Sequence, residues 1–186
     1  MNDSQIKDIA HEIKNSLKQY PDFPSKGILF EDIMPIFANA DLFNKLLNAF
    51  ELHLRDKKVD FVVGLESRGF LFGPALALKL GAGFVPVRKP GKLPGETYVV
   101  EFQKEYGTDK FEVQRGAIHK NAKVVIVDDI LATGGSAEGA GKLMKQAEAD
   151  VVEYLFISEL DFLKGRKKLD SSVFTLLSSQ PSSLQL

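Results

Sequence analysis

The sequence predicts an α/β protein with a mainly parallel sheet of about five strands and helices on both faces. Short apolar runs rich in β-branched residues predict the strands. Segments with apolar residues at helical spacing lie between these runs, an alternation that is typical of a parallel sheet. The chain has 186 residues, 44% of them hydrophobic, which suits a single domain with a substantial core.

Each element follows from the local pattern. The predicted core strands are 59–65, 83–87, 124–128, 151–157 and 173–177. Within the second of these, Pro86 indicates an edge position or a strand end, because proline cannot donate to a neighbouring strand. The predicted helices are 4–19, 42–54, 70–80 and 137–147. The prolines of residues 20–24 end the first helix, and the third helix, apolar nearly all round, is expected to be buried with Pro74 in its first turn.

Composition excludes several classes of function. A net charge of −1 gives no reason to expect nucleic acid or an anionic membrane as a partner. The absence of cysteine excludes disulfides, cysteine-ligated zinc and thiol catalysis. The N-terminus lacks the apolar core of a signal peptide, and no apolar run reaches the ~18 residues of a membrane span. We therefore expect a soluble cytoplasmic protein.

The most informative stretch is 123–137, which reads KVVIVDDILATGGSA. It predicts a buried strand that ends on Asp128 and Asp129, a glycine-rich turn, and a helix. Backbone N–H groups and hydroxyls of 133–136 at the helix start would bind an anion, and the glycines permit positive φ and a close approach to phosphate. The carboxylates could accept hydrogen bonds from a ribose diol, both together only if the chain turns there. The alternative is an ordinary βα turn with two solvated acids.

This string closely resembles the phosphoribosyl pyrophosphate (PRPP) signature of type I phosphoribosyltransferases. It is not a Walker A loop, because no G-K-[ST] follows, and it lacks the G-x-G-x-x-G of dinucleotide sites. The resemblance implies that seven residues bind PRPP or AMP. They are Asp128, Asp129, Ala132, Thr133, Gly134, Gly135 and Ser136.

Two further motifs resemble the family's pyrophosphate-binding elements. E-S-R-G-F, residues 66–70, resembles the pyrophosphate loop, with roles implied for Ser67 and Arg68. The arginine fork suits a diphosphate, although a surface ion pair is the alternative interpretation. R-K-x-G-K-L-P-G, residues 88–95, resembles adenine-specific members, although such a charge run is more often a solvated face. In those members these cations, here Arg88, Lys89 and Lys92, contact pyrophosphate, in part across a dimer interface.

The N-terminal segment P-D-F-P-x-x-G-I-L-F-E-D resembles the hood of adenine phosphoribosyltransferases, which covers the purine. The resemblance implies that main chain at Leu29 and the ring of Phe30 lie near the base. Many members have Arg where this chain has Glu31, so the role of that Arg does not carry over.

Residues 96–114 predict two exposed strands around a turn at 106–109. A hairpin this polar has little to bury against, and we expect it to be mobile, as catalytic lids are. Its K-E-Y-G resembles the family's lid motif, in which the position of Glu105 is the proposed acid/base. E-L-x-x-L-K-G-R, residues 159–166, resembles the family's terminal segment and receives no chemistry.

The resemblance implies one domain over 1–186, with a hood (about 1–36), a core (about 37–178) and a flexible lid (about 95–114). The implied reaction transfers the phosphoribosyl group of PRPP to adenine, giving AMP and pyrophosphate. Mg²⁺ would be carried mainly by PRPP, without a dedicated protein metal site, and the protein would be a homodimer. Two alternatives stay open: a PRPP-sensing regulator of transcription, and a phosphoribosyltransferase for hypoxanthine, guanine or orotate.

Overall fold

The computed structural model describes residues 2–23, 26–27, 29–103 and 107–178. Three short 3₁₀ turns lie at Arg68–Phe70, Asp161–Leu163 and Gly165–Lys168. In chain order the helices and strands are α1 (Asn2–Ser16), β1 (Lys18–Pro21), β2 (Leu29–Asp32), α2 (Met34–Ala38), α3 (Ala40–Leu54), β3 (Phe61–Leu65), α4 (Gly73–Leu80), β4 (Gly83–Val87), β5 (Thr97–Gln103), β6 (Thr108–Gln114), β7 (Lys123–Leu131), α5 (Gly135–Gln146), β8 (Asp150–Glu159) and β9 (Val173–Leu177).

The central sheet has five parallel strands in the order β4-β3-β7-β8-β9. This confirms the predicted fold class and all five predicted core strands. β4 lies at the edge of the sheet, as its proline indicated, because the missing N–H of Pro86 interrupts no ladder between two neighbours.

Residues of β7 alternate between two apolar cores, one on each face of the sheet. Val125 and Val127 pack with the cluster that α1, α3 and α4 cover. Val124 and Ile126 face the other cluster, which α5 and the β5–β6 hairpin cover. Side chains of a strand point alternately to opposite faces, so a strand buried on both sides reads as a continuous apolar run.

The structure corrects three boundaries. β7 continues beyond the two acids and pairs with β8 as far as Leu131 and Glu159, so the chain does not turn at the acids. The first helix ends at Ser16, because residues 18–21 pair with 29–32 as a small antiparallel sheet. The predicted helix 70–80 begins only at Gly73, with Pro74 in its first turn as expected. It is not buried all round, since 83% of Leu78 is exposed.

The β5–β6 hairpin is not loosely held along its strands, contrary to the expectation from its polar sequence. Phe102, Phe111 and Val113 are almost completely buried and belong to the core beneath α5. A Cβ at Gly139 would meet the ring of Phe102 at 2.7 Å, so the absent side chain of this glycine makes room for the ring. The hairpin therefore has an apolar face that docks on α5.

No helix in the described part of the chain is long and apolar enough to cross a membrane.

Candidate active site

Most of the predicted binding residues that the structure describes lie at one edge of the central sheet. Parallel strands end at the same edge, and the loops that follow them form the usual binding crevice of such folds. The loop 66–70 follows β3, the segment 88–95 follows β4, and the loop 132–134 follows β7. The structure thus brings together three elements that are separated by up to about seventy positions in the sequence.

Arg68 and Asp129 form an ion pair that joins two of these elements. Nη1 of Arg68 lies 2.7 Å from Oδ2 of Asp129. The Asp129 side chain is almost buried and that of Arg68 is half exposed. Behind the arginine, a Cβ at Gly69 would press on the carbonyl oxygen of Val127, so this loop lies directly on the backbone of β7. A guanidinium and a carboxylate are therefore presented side by side at the sheet edge.

Asp128 differs from its neighbour in environment. Burial, followed by the negative charge of Asp129, raises the pKa of Asp128 well above its usual range. The backbone N–H of Asp129 donates to Oδ1 of Asp128 at 2.9 Å and acts in the opposite direction. The two adjacent carboxylates thus have different partners: Arg68 donates to Asp129, whereas Asp128 accepts a backbone N–H.

The glycine-rich loop ends in the first turn of α5. Gly134 adopts φ +83° as the N-cap residue, a conformation that L side chains rarely adopt, and no described side chain caps the helix start. The helix dipole and the first N–H groups of α5 are therefore available to an anion. Thr133 and Ser136, the two hydroxyl residues of this loop, are both partly exposed. The structure thus has the predicted helix start and the glycine with positive φ, while anion binding by this loop stays a prediction.

The segment 159–168, which has no predicted chemical role, supports this loop. A Cβ at Gly134 would collide with the carbonyl oxygen of Gly165, and a Cβ at Gly165 would approach the nitrogen of Gly134 to 2.9 Å. Glu159, almost fully buried at the end of β8, forms an ion pair with Arg166. The two glycines allow two backbones to touch, a long-range contact that no local sequence pattern predicts.

The basic segment is held by acids of the same chain. Nε and Nη2 of Arg88 donate to the two carboxylate oxygens of Glu66 at 3.1 and 3.0 Å, which lowers the pKa of Glu66. Nζ of Lys89 lies 2.9 Å from Oδ2 of Asp109 on β6. Lys92 is exposed. Ser67 is also exposed, in the loop beside Arg88.

The hood residues Leu29 and Phe30 lie half-buried on β2. The Phe30 ring makes an edge contact with Phe23, with 5.1 Å between ring centroids. Next to them, Oε1 of Glu31 accepts a hydrogen bond from Nε2 of Gln19 at 2.9 Å. A narrow cleft lined by Glu31, Ser158 and other residues shows that the hood reaches the C-terminal end of β8.

Glu105 lies outside the described residues, so its predicted role stays a prediction. The chain leading to it is described as far as Gln103, whose carbonyl oxygen lies so close to Gly135 that a Cβ there would collide with it. The end of β5 therefore reaches the start of α5 and the glycine-rich loop.

Among the described residues no group of three or more His, Cys, Asp and Glu could hold a metal ion. The carboxylates of Asp128 and Asp129 are nevertheless hard oxygen donors at the sheet edge. They fit a magnesium ion that brings most of its ligands as phosphate oxygens and water.

A five-stranded parallel sheet with an uncapped helix start, two acids and a basic segment at one edge is an arrangement that suits a phosphorylated sugar. The chain belongs to the phosphoribosyl transferase family: residues 36–182 match the model of the phosphoribosyl transferase domain.

Two relatives are similar to this chain in sequence, and one solved structure is similar in both sequence and fold. The adenine phosphoribosyltransferase of Debaryomyces hansenii is 65% identical over 185 residues and covers 100% of both chains. That of Candida albicans is 66% identical over 176 residues, 95% of this chain and 94% of its own. The crystal structure of adenine phosphoribosyltransferase from Saccharomyces cerevisiae, complexed with an imino-altritol bisphosphate and adenine, has 61% identity and a TM-score of 0.89. It covers 91% of this chain and 99% of its own.

Proposed function

We propose that this protein transfers the 5-phosphoribosyl group of PRPP to adenine, giving AMP and pyrophosphate. The observation that carries the proposal is the convergence of three binding elements at one sheet edge, in a chain 65% identical to an adenine phosphoribosyltransferase over its full length. The loop 132–134 suits the 5′-phosphate of PRPP, and the loop 66–70 and the segment 88–95 suit its diphosphate. Asp128 and Asp129, on β7 just before the first of these loops, suit the uncharged ribose diol.

The 5′-phosphate binds to the loop before α5. Backbone N–H groups of Thr133 to Ser136 and two hydroxyls surround it, and the helix dipole favours its charge. Ala132, the first residue of this loop after β7, is proposed to lie beside the bound phosphate. The binding energy of this remote group orients the reacting carbon without itself changing during the reaction.

The ribose diol binds beside the acids near the end of β7. β7 does not turn at these acids, so their side chains leave the strand on opposite faces; Asp129, beside Arg68, is the acceptor proposed for the diol, and Asp128 is the second candidate. An ionised carboxylate here also favours a sugar ring that becomes cationic. Because Asp129 is held by Arg68 in the structure, diol binding and the position of the arginine are coupled.

The diphosphate binds at the basic side of the edge. Arg68 offers a planar fork to two oxygens, and Ser67 lies beside it as a hydrogen-bond donor. Lys89 and Lys92 supply further positive charge from the segment after β4, and Arg88 anchors that segment to Glu66. These cations stabilise the negative charge that grows on the leaving group.

The base enters beneath the hood. Main chain at Leu29 and the ring of Phe30 give adenine an amide edge and an aromatic surface. The nitrogen N9 of adenine attacks C1 of the ribose while the bond from C1 to pyrophosphate breaks. The proton of N9 must then leave, and Glu105 is the proposed acceptor.

Magnesium is proposed as part of the PRPP complex, facing Asp128 and Asp129, where it would neutralise diphosphate charge. Two further expectations stay predictions: the homodimer, with Arg88 near the partner's pyrophosphate site, and the cytoplasmic location.

A substrate panel tests the proposal. Purified protein with PRPP and Mg²⁺ should convert adenine to AMP, and convert hypoxanthine, guanine and orotate poorly or not at all. An adenine rate no better than the orotate rate would contradict the specificity. Binding of PRPP without turnover of any base would instead indicate a PRPP sensor.

A further inference from the structure

Glu112 is a buried acid that the reaction does not use. It lies on β6 with 4% of its surface exposed. Its Oε1 accepts hydrogen bonds from the backbone N–H groups of Lys92, at 3.1 Å, and Leu93, at 2.9 Å. Its Oε2 lies 3.4 Å from the hydroxyl of Thr97. A buried carboxylate that accepts several N–H groups fixes the backbone that donates them.

The backbone of Glu112 holds the same segment at a second point. The N–H of Arg88 donates to the carbonyl oxygen of Glu112 at 3.0 Å, and the N–H of Glu112 donates to that of Arg88 at 2.7 Å. Glu112 therefore hydrogen-bonds the basic segment at two points, at Arg88 through its backbone and at Lys92 and Leu93 through its carboxylate. The three positions between these points, 89–91, include Lys89 and Gly91, whose φ of +80° shapes the turn.

We propose that Glu112 is a positioning residue for pyrophosphate. Its carboxylate holds residues 88–93 in the shape that presents Lys89 and Lys92 to the diphosphate, although it touches no substrate itself. The inference rests on the proposed function, because it assumes that these lysines face pyrophosphate. It adds that the β5–β6 hairpin and the basic segment form one unit, to which the Lys89–Asp109 pair also contributes.

The reach of the side chain, and not its charge alone, is what this role requires. In Glu112→Asp the charge stays but the carboxylate withdraws by one methylene from the two N–H groups. In Glu112→Gln the charge is lost but the amide oxygen can still accept from both N–H groups, while the amide nitrogen faces Thr97. Glu112→Leu removes every acceptor. The three variants therefore separate positioning from electrostatics.

The experiment measures KM for pyrophosphate and for AMP in the reverse reaction. Glu112→Asp and Glu112→Leu should raise KM for pyrophosphate about tenfold, the effect of losing one charge-assisted hydrogen bond, and change KM for AMP by less than about twofold. Glu112→Gln should stay within about threefold of wild type. Amide hydrogen exchange at Lys92 and Leu93 should accelerate in the first two variants only.

Glu153→Asp is the matched control, a buried acid shortened in the same way at the opposite end of the sheet. It should lower the melting temperature without changing KM for pyrophosphate. If Glu112→Leu does not fold, the comparison of Glu112→Asp with Glu112→Gln is enough to test the positioning role. Wild-type KM for pyrophosphate in Glu112→Asp, or an equal rise in Glu112→Gln, would overturn the proposal.

Lys92→Ala separates this inference from the proposed function. If it leaves KM for pyrophosphate unchanged, the assignment of the basic segment itself is wrong. If it raises that KM and Glu112→Asp does not, the binding site stands and only the positioning role of Glu112 fails.

Discussion

Arg68 and Asp129 lie sixty-one positions apart in sequence, and their side chains are joined by a 2.7 Å hydrogen bond at the edge of the sheet. The pair connects the loop proposed for pyrophosphate with the acids proposed for the ribose. A ligand that forms hydrogen bonds with both side chains must either break the Arg68–Asp129 hydrogen bond or bind to the two side chains while they remain paired.

The first prediction concerns that pair. Arg68→Lys keeps the charge but loses the fork, so we expect weaker PRPP binding by roughly tenfold. Arg68→Ala should weaken it further and leave the buried Asp129 without its partner. A double-mutant cycle with Asp129→Asn should give a coupling of about 1 kcal/mol in unfolding, kept modest because Arg68 is half exposed. Additive effects in unfolding would contradict the coupling.

The second prediction concerns Gly134. If Gly134 only let the backbone approach phosphate, Gly134→Val would abolish PRPP binding in an intact fold. Because a Cβ there collides with the backbone of Gly165, even Gly134→Ala should reduce the free energy of unfolding, by about 2–4 kcal/mol. Gly116→Ala is the control: its φ of +78° is equally unfavourable, but nothing lies within 4 Å of the added Cβ.

Gly116→Ala should therefore reduce the free energy of unfolding by only about 1 kcal/mol, because it adds backbone strain at a positive φ but no steric clash. Urea unfolding measures both variants, and calorimetry measures their PRPP affinity. Equal losses of stability in the two variants would show that the contact with Gly165 contributes nothing.

The sequence predicts the sheet well because each core strand is an apolar run that needs no distant information. It misses β1, since Lys18–Pro21 is exposed throughout and becomes a strand only through pairing with β2. It also misses the roles of Glu112 and Gly165. Both act through backbone contacts with segments about twenty or more positions away, and a local pattern cannot show such contacts.

The third prediction concerns the docking of the hairpin. Phe102→Ala should reduce the free energy of unfolding by about 3–5 kcal/mol, because the ring belongs to the core beneath α5. A melting temperature that stays nearly unchanged would contradict this prediction and would mean that the hairpin detaches locally without unfolding the rest of the protein. Hydrogen exchange over 97–103 separates the two outcomes. Val99→Ala, on the same strand but 46% exposed, should have little effect on either measurement.

The fourth prediction concerns pH. Glu153 lies 2.9 Å from Nε2 of His53 and 2.7 Å from Nζ of Lys57. Burial alone would raise the pKa of Glu153, but these two partners lower it overall. A lowered pKa means that the ionised acid stabilises the fold above its usual value of 4.5, and that this stability is lost as the pH falls below it.

Glu153→Gln should therefore be less stable than wild type at pH 7, and the difference should shrink progressively below about pH 4.5. Urea unfolding across this pH range measures it. Glu101→Gln, an exposed acid on β5, should track the wild type at every pH. A Glu153→Gln deficit that stayed constant down to pH 3 would mean that shape, not charge, matters at this site.

The fifth prediction concerns the acid/base. Gln103 ends β5 against Gly135, at the start of the proposed phosphate-binding helix, and Glu105 follows it two positions along the chain. Closure of this segment over PRPP and base would exclude water, which competes with adenine for the electrophilic sugar. Desolvation would also raise the pKa of Glu105 toward the working pH and favour proton transfer.

Glu105→Gln keeps the size of the side chain and removes its proton chemistry. We expect kcat to fall by ~10²-fold, the low end for general acid–base groups, with PRPP affinity nearly unchanged. Glu31→Gln should do much less, because its carboxylate serves a hydrogen bond with Gln19. Protease cutting near residue 106 should slow when PRPP and a purine analogue are bound. If Glu105→Gln turns over adenine at the wild-type rate, the proton of N9 goes to water and Glu105 is only a polar residue of the lid.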